Sequence, residues 1–501
     1  VKACPSAMFA LILLTLGLIT TNEAARVLAV FPAPSISHQV VFRPITQELA
    51  KRGHEVVIIT PDPAFPKGGT PPNLTEIDFH DMSYKDWRET IAKVTLTGDN
   101  NIFTALKLVT QSLTKIMESY LENEEVQNLL KSRKFDLLLV ESSARPALIF
   151  GHFYKIPIIQ ISSCGAVFDN LDAVGAPTHP ILYPSILRRR INNLSNWEKL
   201  TAIYEHYLLE MKLRKYDETD NALLRKYFGE NIPTVNELLN DVDMLFLNLH
   251  PVFSGIQPVP PSVIYLGGLH QTSEKTLPGV CIYASKQGVI YISFGTNVMP
   301  SLLPPVTIQA IVRVFSELPY NVIWKYDKDE LPGKPDNVRI GKWFPQSDLL
   351  MHPNIKLFIT QGGLQSTDEA ITAGVPLIGV PIIGDQWFNT EKYEYHKIGL
   401  KLDIETLNYD DLKKAINTIV SDERLPLERA MWWIEYVLRH GGAKHLKSPA
   451  ANITWYQYLE LELILILLSG LLISITILYF GCKNILRLIS TAKVGSSKKR
   501  N

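Results

Sequence analysis

The sequence predicts an α/β chain of two parallel-sheet domains that face each other across a cleft, followed by one apolar segment near the C-terminal end. Three observations carry this. Strand-like apolar runs alternate with amphipathic stretches in both halves of the 501 residues, a Pro- and Gly-rich break separates the halves, and Leu463 to Phe480 holds no charge. The length itself needs more than one core, since a domain usually spans about 100 to 200 residues. Lys and Arg number 50, as do Asp and Glu, and 46% of the residues are hydrophobic, which excludes a disordered or fibrous chain.

In chain order, residues 1–25 carry one basic group, Lys2, an apolar run from Met8 to Ile19 and small residues at Ala24 and Ala25, the layout of a cleavable secretory signal. Arg26 to Phe31 reads as a buried strand, Val40 to Arg52 as an amphipathic helix stopped by Gly53, and Val56 to Thr60 as a second strand, together a βαβ opening. Helical patterns follow, then a strand over Phe135 to Val140, a helix near Pro146 to Tyr154 and a strand over Ile156 to Ile161. Ala202 to Tyr227 is long, charged and helical, in the manner of an insertion over a pocket, and Asp243 to Leu249 is one more strand. Pro251, Pro258, Pro260, Pro261, Gly267 and Gly268 then end all periodicity and mark the domain boundary. The alternation restarts with strand Val289 to Phe294, helix Thr307 to Leu318, strand Asn321 to Lys325, strand Leu357 to Thr360, helix Ser366 to Ala373, strand Leu377 to Val380 and helix Phe388 to Lys397. The expected organisation is a signal over 1–25, a first domain over 26–268, a second over 269–448, a juxtamembrane segment over 449–462, a membrane span over 463–480 and a basic tail over 481–501.

The span is just long enough to cross about 30 Å of hydrocarbon. Lys483, Arg487, Lys493, Lys498, Lys499 and Arg500 follow it, and Trp455, Tyr456 and Tyr458 precede it, so the positive-inside rule puts the tail in the cytosol and the body in the lumen. Without residues 1–25 and 463–501 the chain holds 43 basic and 49 acidic groups, a balance that excludes nucleic acid as the partner. Of four cysteines only Cys164 and Cys281 fall in the luminal body; two free buried thiols are expected, with a bridge between them as the alternative. Sequons at Asn73, Asn193 and Asn452 agree with a luminal body.

Phe358 to Glu369 reads Phe-Ile-Thr-Gln-Gly-Gly-Leu-Gln-Ser-Thr-Asp-Glu, an apolar strand that ends in two glycines and enters a helix. Such an end presents unpaired N–H groups and the positive end of a helix dipole to an anion, and glycines let a diphosphate approach the backbone. Ser366 and Glu369 also fit a capping box, which needs no ligand. Trp343-Phe-Pro-Gln346 upstream and Gly384-Asp385-Gln386 downstream each close a strand-like run, so all three loops would leave one sheet edge. An aromatic plane, a phosphate-binding helix and a carboxylate with an amide are what a nucleotide sugar requires. Taken singly, Trp343 would be a core residue and Asp385 a helix cap.

These motifs, with His352-Pro353, Gly374-Val-Pro376, Pro381 and Asn389, resemble the signature of membrane-bound UDP-glycosyltransferases, most of all those of insects, and the resemblance covers nearly the whole chain. It implies a GT-B fold of two Rossmann-like domains, with UDP-sugar in the second and a small lipophilic acceptor in the first. By position it implies that Trp343 stacks on uracil, Gln346 reaches the base or ribose, and Glu369 binds the ribose. Thr360, Gln361, Gly362, Gly363, Gln365 and Ser366, with Ser293, Gly295 and Thr296, would surround the diphosphate, and Asp385 and Gln386 the sugar. The chain departs from the family at Gln361, where many relatives carry His, in a short block between Asp422 and Leu427, and in an irregular linker near Thr276 to Ser285.

Ser37-His38 follows the first strand and Pro32-Ala-Pro34, beyond the strand's carboxyl end, where a neutral imidazole can take a hydroxyl proton. The resemblance makes His38 the general base and implies a carboxylate partner, placed by relatives as Asp after the strand that ends at Val140. This chain has Glu141 there; Asp136, at the strand's start, is on the wrong side. The reading is an inverting transfer of a sugar, glucose by preference, from UDP to a hydroxyl of a small lipophilic acceptor, at the luminal face of the endoplasmic reticulum membrane. No cofactor and no metal is called for beyond the UDP-sugar co-substrate. The alternative is a catalytically weakened nucleotide-sugar or lipophile carrier; self-association is left open.

Overall fold

The computed structural model describes residues 24–96, 102–166, 168–255, 257–271, 287–420, 456 and 459–497. Residues 1–23 of the expected signal, Cys281, Asn452, the linker near Thr276 to Ser285 and the block from Asp422 to Leu427 lie outside them.

Thirteen strands among these residues form two all-parallel sheets. The first contains β1 (Arg26–Val30), β2 (Glu55–Thr60), β3 (Leu74–Asp78), β4 (Leu137–Glu141), β5 (Ile158–Ser162), β6 (Val242–Leu247) and β7 (Val263–Tyr265), in the order β3-β2-β1-β4-β5-β6-β7. Its central strands are apolar through most of their length because both faces are covered. Leu28, Val30, Val57, Ile59, Leu138 and Val140 enter one core layer, and Val27, Ala29, Val56, Ile58 and Leu139 enter the other. The second sheet contains β8 (Val289–Ser293), β9 (Asn321–Lys325), β10 (Val338–Gly341), β11 (Ile355–Thr360), β12 (Leu377–Gly379) and β13 (Gly399–Lys401), in the order β10-β9-β8-β11-β12-β13.

Six helices flank the site or lead to the C-terminal apolar segment: α1 (Ile36–Lys51), α2 (Ile102–Glu122), α3 (Asn196–Phe228), α4 (Leu364–Ala373), α5 (Gln386–Tyr395) and α6 (Leu461–Ser497). The edge strands β3, β7, β10 and β13 are not among the strands the sequence predicts; β7 falls inside the Pro-rich break and extends the first sheet. Helix α3 begins six residues earlier than its charge pattern implies, because Ser195 and Glu198 form a capping box. His206 of this helix lines a pocket with Leu182, Tyr183 and Ile186, and its C-terminal part joins the body. Leu223 and Leu224 belong to the first core, and the buried Arg145 guanidinium, in the turn after β4, bonds Asp217 at 2.5 Å and Asp220 at 2.7 Å.

Helix α6 carries a 25-residue apolar stretch, Leu461–Ile485, of mean hydropathy 2.7, longer than the expected span. Its start rests on the body: Leu463 is buried, Lys199 Nζ lies 3.0 Å from Glu460 Oε2, and Asn196 Nδ2 donates to Glu462 Oε1. Cys164 is a free, half-buried thiol whose pKa burial pushes up to about 12.

Candidate active site

In an open parallel sheet the crevice lies where the strand order reverses. For the first sheet that point is between β1 and β4, and the residues just beyond these strands are Pro32 to His38 and Glu141 itself. His38 sits in the first turn of α1, and its Nδ1 lies 2.6 Å from Glu141 Oε1. The second carboxylate oxygen accepts the Ala33 N–H at 3.0 Å. The Glu141 carboxylate thus bridges the imidazole and the Pro32–Pro34 turn. A carboxylate on Nδ1 keeps the proton there and leaves Nε2 as the free lone pair. Burial lowers the His38 pKa, but the hydrogen bond and charge of Glu141, with the charge of Asp385 from the other domain, outweigh it and the net shift is upward. Asp136 is remote from all this: it accepts from the Arg26 backbone and guanidinium at the start of β1.

Ala33, whose N–H bonds Glu141, belongs to a small apolar cluster with Trp87, Ile91 and Leu113, and Val109 and Ile383 pack against it. Ile383 comes from the second domain, two residues before Asp385.

For the second sheet the reversal lies between β8 and β11, and the loops that leave there are Ser293 to Thr296 and Thr360 to Gly363. Gly295 has φ +76° and a Cβ on it would collide with Gln361 Nε2, so the two loops are in contact. Gln361 Oε1 accepts from Thr360 Oγ1 at 3.0 Å, which aims the amide nitrogen at the glycines. Gly363 is the N-cap of α4, so Ser366 stands in the first helical turn and no capping box with Glu369 forms. Instead Gln346 Nε2 donates to Ser366 Oγ at 2.9 Å and to Glu369 Oε2 at 2.7 Å, while its Oε1 accepts from Tyr291 Oη. Burial raises the Glu369 pKa against the bond from Gln346.

Trp343 is no core residue: 65% of it is exposed, above the same edge. Asp385 precedes α5 without capping it, and its carboxylate accepts from Asn389 Nδ2 at 2.8 Å. Gln386 Oε1 accepts the N–H groups of Ile382 and Ile383, which fixes the loop that carries Asp385. Gln365 turns away from the glycine loop and donates to Ser163 O of the first domain at 2.8 Å.

Sequence reasoning passes over Lys325. Its ammonium lies 5.1 Å from the Trp343 ring centroid and donates to Gly295 O, and burial lowers its pKa to about 8. Its place at the carboxyl end of β9, between two motif-bearing strands, is the available signal. Asn297 is also missed; it donates to Ser35 Oγ at 3.1 Å and joins the phosphate-side loop to the turn that carries His38.

Two Rossmann-type sheets with their switch points turned to one another define a GT-B glycosyltransferase. Solved structures of this class share the architecture: a glycosyltransferase of kitacinnamycin (TM-score 0.55, 19% identity, 84% of this chain and 96% of that one) and UDP-glucose: anthocyanidin 3-O-glucosyltransferase in complex with UDP (TM-score 0.53, 16% identity, 86% and 97%). Residues 25–496 match the family described as UDP-glucoronosyl and UDP-glucosyl transferase, and the chain belongs to it. Among relatives, the ecdysteroid UDP-glucosyltransferase of Spodoptera littoralis nuclear polyhedrosis virus is 35% identical over 91% of this chain and 96% of its own. UDP-glucosyltransferase 2 of Dactylopius coccus is 31% identical over 97% and 98%. The protein is therefore an enzyme that transfers a sugar from a UDP-sugar to a small acceptor.

Proposed function

We propose that this chain transfers glucose from UDP-glucose, with inversion, to a hydroxyl of a small lipophilic acceptor, and that His38 is the base. The observation that carries the proposal is the 2.6 Å contact of His38 Nδ1 with Glu141, which leaves Nε2 for the acceptor, with Asp385 of the other domain near enough for its charge to act on the imidazole. The acceptor hydroxyl gives its proton to Nε2, its oxygen bonds to the anomeric carbon from the face opposite UDP, and the bond from that carbon to the diphosphate oxygen breaks, releasing UDP. Glu141 stabilises the imidazolium so formed. Trp343 stacks on the uracil, Gln346 and Glu369 take the ribose, and the Ser293–Thr296 and Thr360–Gly363 loops with Ser366 face the diphosphate. Asp385 and Gln386 hold the sugar. The apolar cluster at Trp87, Ile91 and Leu113 supplies a wall for a lipophilic acceptor.

The signal-like start, the apolar α6 and the basic residues after it support a luminal body anchored in the endoplasmic reticulum membrane, with conjugation or detoxification as its setting. Several relatives are named ecdysteroid UDP-glucosyltransferases, so an ecdysteroid is the first acceptor to test. The test is to mix the full-length protein with UDP-glucose and a panel of hydroxylated lipophiles and follow the products by mass spectrometry. A mass gain of one hexose, absent in His38→Ala with UDP binding retained, is expected; a His38→Ala variant that turns over like wild type would sink the assignment.

A further inference from the structure

Helix α3 is apolar on two opposite sides. Ala202, Leu209 and Leu213 face the body and are buried. At 100° per residue, Trp197, Leu200, Tyr204, Tyr207, Leu208 and Met211 fall within one arc about 100° wide, and no polar residue between positions 197 and 211 enters that arc. This second side points outward: Trp197 is 76% exposed, Tyr204 66%, Tyr207 56% and Met211 62%. At 1.5 Å per residue the stripe is about 20 Å long, an extent over which soluble surfaces do not usually keep apolar side chains contiguous.

Its place in the molecule identifies what covers it. The N-terminal turn of α3 holds the start of α6, through Lys199 with Glu460 and Asn196 with Glu462; Asn196 borders the stripe, and Lys199 stands about 60° farther round the helix toward the body. Where α6 enters a bilayer, the stripe begins beside the entry point. Its composition also fits: Trp and Tyr are the side chains that settle at the boundary of headgroups and acyl chains, because their rings are apolar and their N–H and O–H groups stay wet. An interface with a second copy would leave the link to α6 without consequence.

We propose that the Trp197–Met211 face of α3 lies in the luminal headgroup region of the membrane, as a second contact of the enzyme with lipid. This rests on α6 being a membrane span. The face touches none of the residues assigned to the donor or to the base, so it docks the first domain without entering the chemistry. Docking places the acceptor-binding domain at the lipid surface, where a lipophilic acceptor is concentrated.

The test uses the full-length chain in phosphatidylcholine vesicles, with an environment-sensitive fluorescent amino acid placed in turn at position 204, at position 472 in α6, and at position 330, an exposed site in the second domain. Lipids brominated on the upper acyl chain are the quencher. Loss of most emission at 204 and 472, with 330 unchanged, is expected, and Trp197→Glu with Met211→Glu restores emission at 204 alone. Quenching at 472 but not at 204 overturns the proposal while α6 remains a span. No quenching at either position overturns the span and the proposal with it. Emission at 204 that ignores brominated lipid but follows the protein-to-lipid ratio puts a second copy on the stripe, and overturns it too.

Discussion

The sign of the pH dependence is set at His38. Its pKa in the folded enzyme lies above the ordinary 6.5, because Glu141 and Asp385 favour the imidazolium more than burial disfavours it. In the proposed role as base, an imidazolium at His38 cannot take a proton, so the rate is expected to rise with pH through that raised value, with the acid limb of kcat against pH above 6.5. Glu141→Gln removes the charge and the reliable tautomer; the limb moves to lower pH and the rate falls, while His38→Ala loses about 10² to 10⁴ in rate. A limb that stays put in Glu141→Gln would detach the carboxylate from the histidine. With Trp343 stacked on the uracil as proposed, Trp343→Ala is expected to lose about 0.5 to 1.5 kcal/mol, up to roughly tenfold in UDP affinity, measurable by calorimetry. Asp385→Ala is expected to weaken UDP-glucose and spare UDP, because in the proposed function the carboxylate holds only the sugar; equal losses for both ligands would return Asp385 to a structural role.

Among the elements, the loops after β8 and β11 constrain each other closely. Gly295 combines a positive φ with a Cβ direction that runs into Gln361, so Gly295→Ala strains the turn and displaces the amide at once. A folded Gly295→Ala protein with weakened UDP binding is expected, with little change for uridine. The Arg145 bridge is of another kind: it pins α3 to the turn after β4 from inside, and Arg145→Ala leaves two buried carboxylates uncompensated, at a cost of about 3 to 5 kcal/mol visible in chemical denaturation. The same geometry decides which elements the sequence makes legible. The central strands are legible because burial on both faces forces continuous apolar runs. β3 buries only Leu74 and Ile77, three positions apart, and β7 and β13 are three residues long beside Pro or Gly, so neither length nor a period of two announces them. Ser366 and Glu369 are legible as a pair but not in their partner, since only the fold brings Gln346 between them. Lys325 carries no motif at all; its meaning comes from the neighbours of β9 in the sheet.

For the whole molecule, catalysis depends on how the two sheets face each other, and few bonds set that relation near the chemistry. Asn297 Nδ2 to Ser35 Oγ couples the loop after β8 to the His38 turn, and Gln365 Nε2 to Ser163 O couples α4 to the end of β5. Farther out, Glu391 accepts the Ile191 N–H, and Lys401 Nζ donates to both Glu391 and Arg189 O. The outer braces can hold the domains together without fixing the distance from Nε2 to an acceptor hydroxyl over the anomeric carbon; the Asn297 bond, two residues from Gly295, acts on that distance directly. A misplacement of about 1 Å can cost on the order of 10² in rate, because the reacting atoms leave attack geometry. Asn297→Ala is therefore expected to bind UDP and acceptor as wild type does and to lower kcat by one to two orders of magnitude. The split between kcat and the binding constants is the decisive readout. Weakened UDP binding with unchanged kcat would make Asn297 part of the diphosphate site and not the link that sets the base over the sugar.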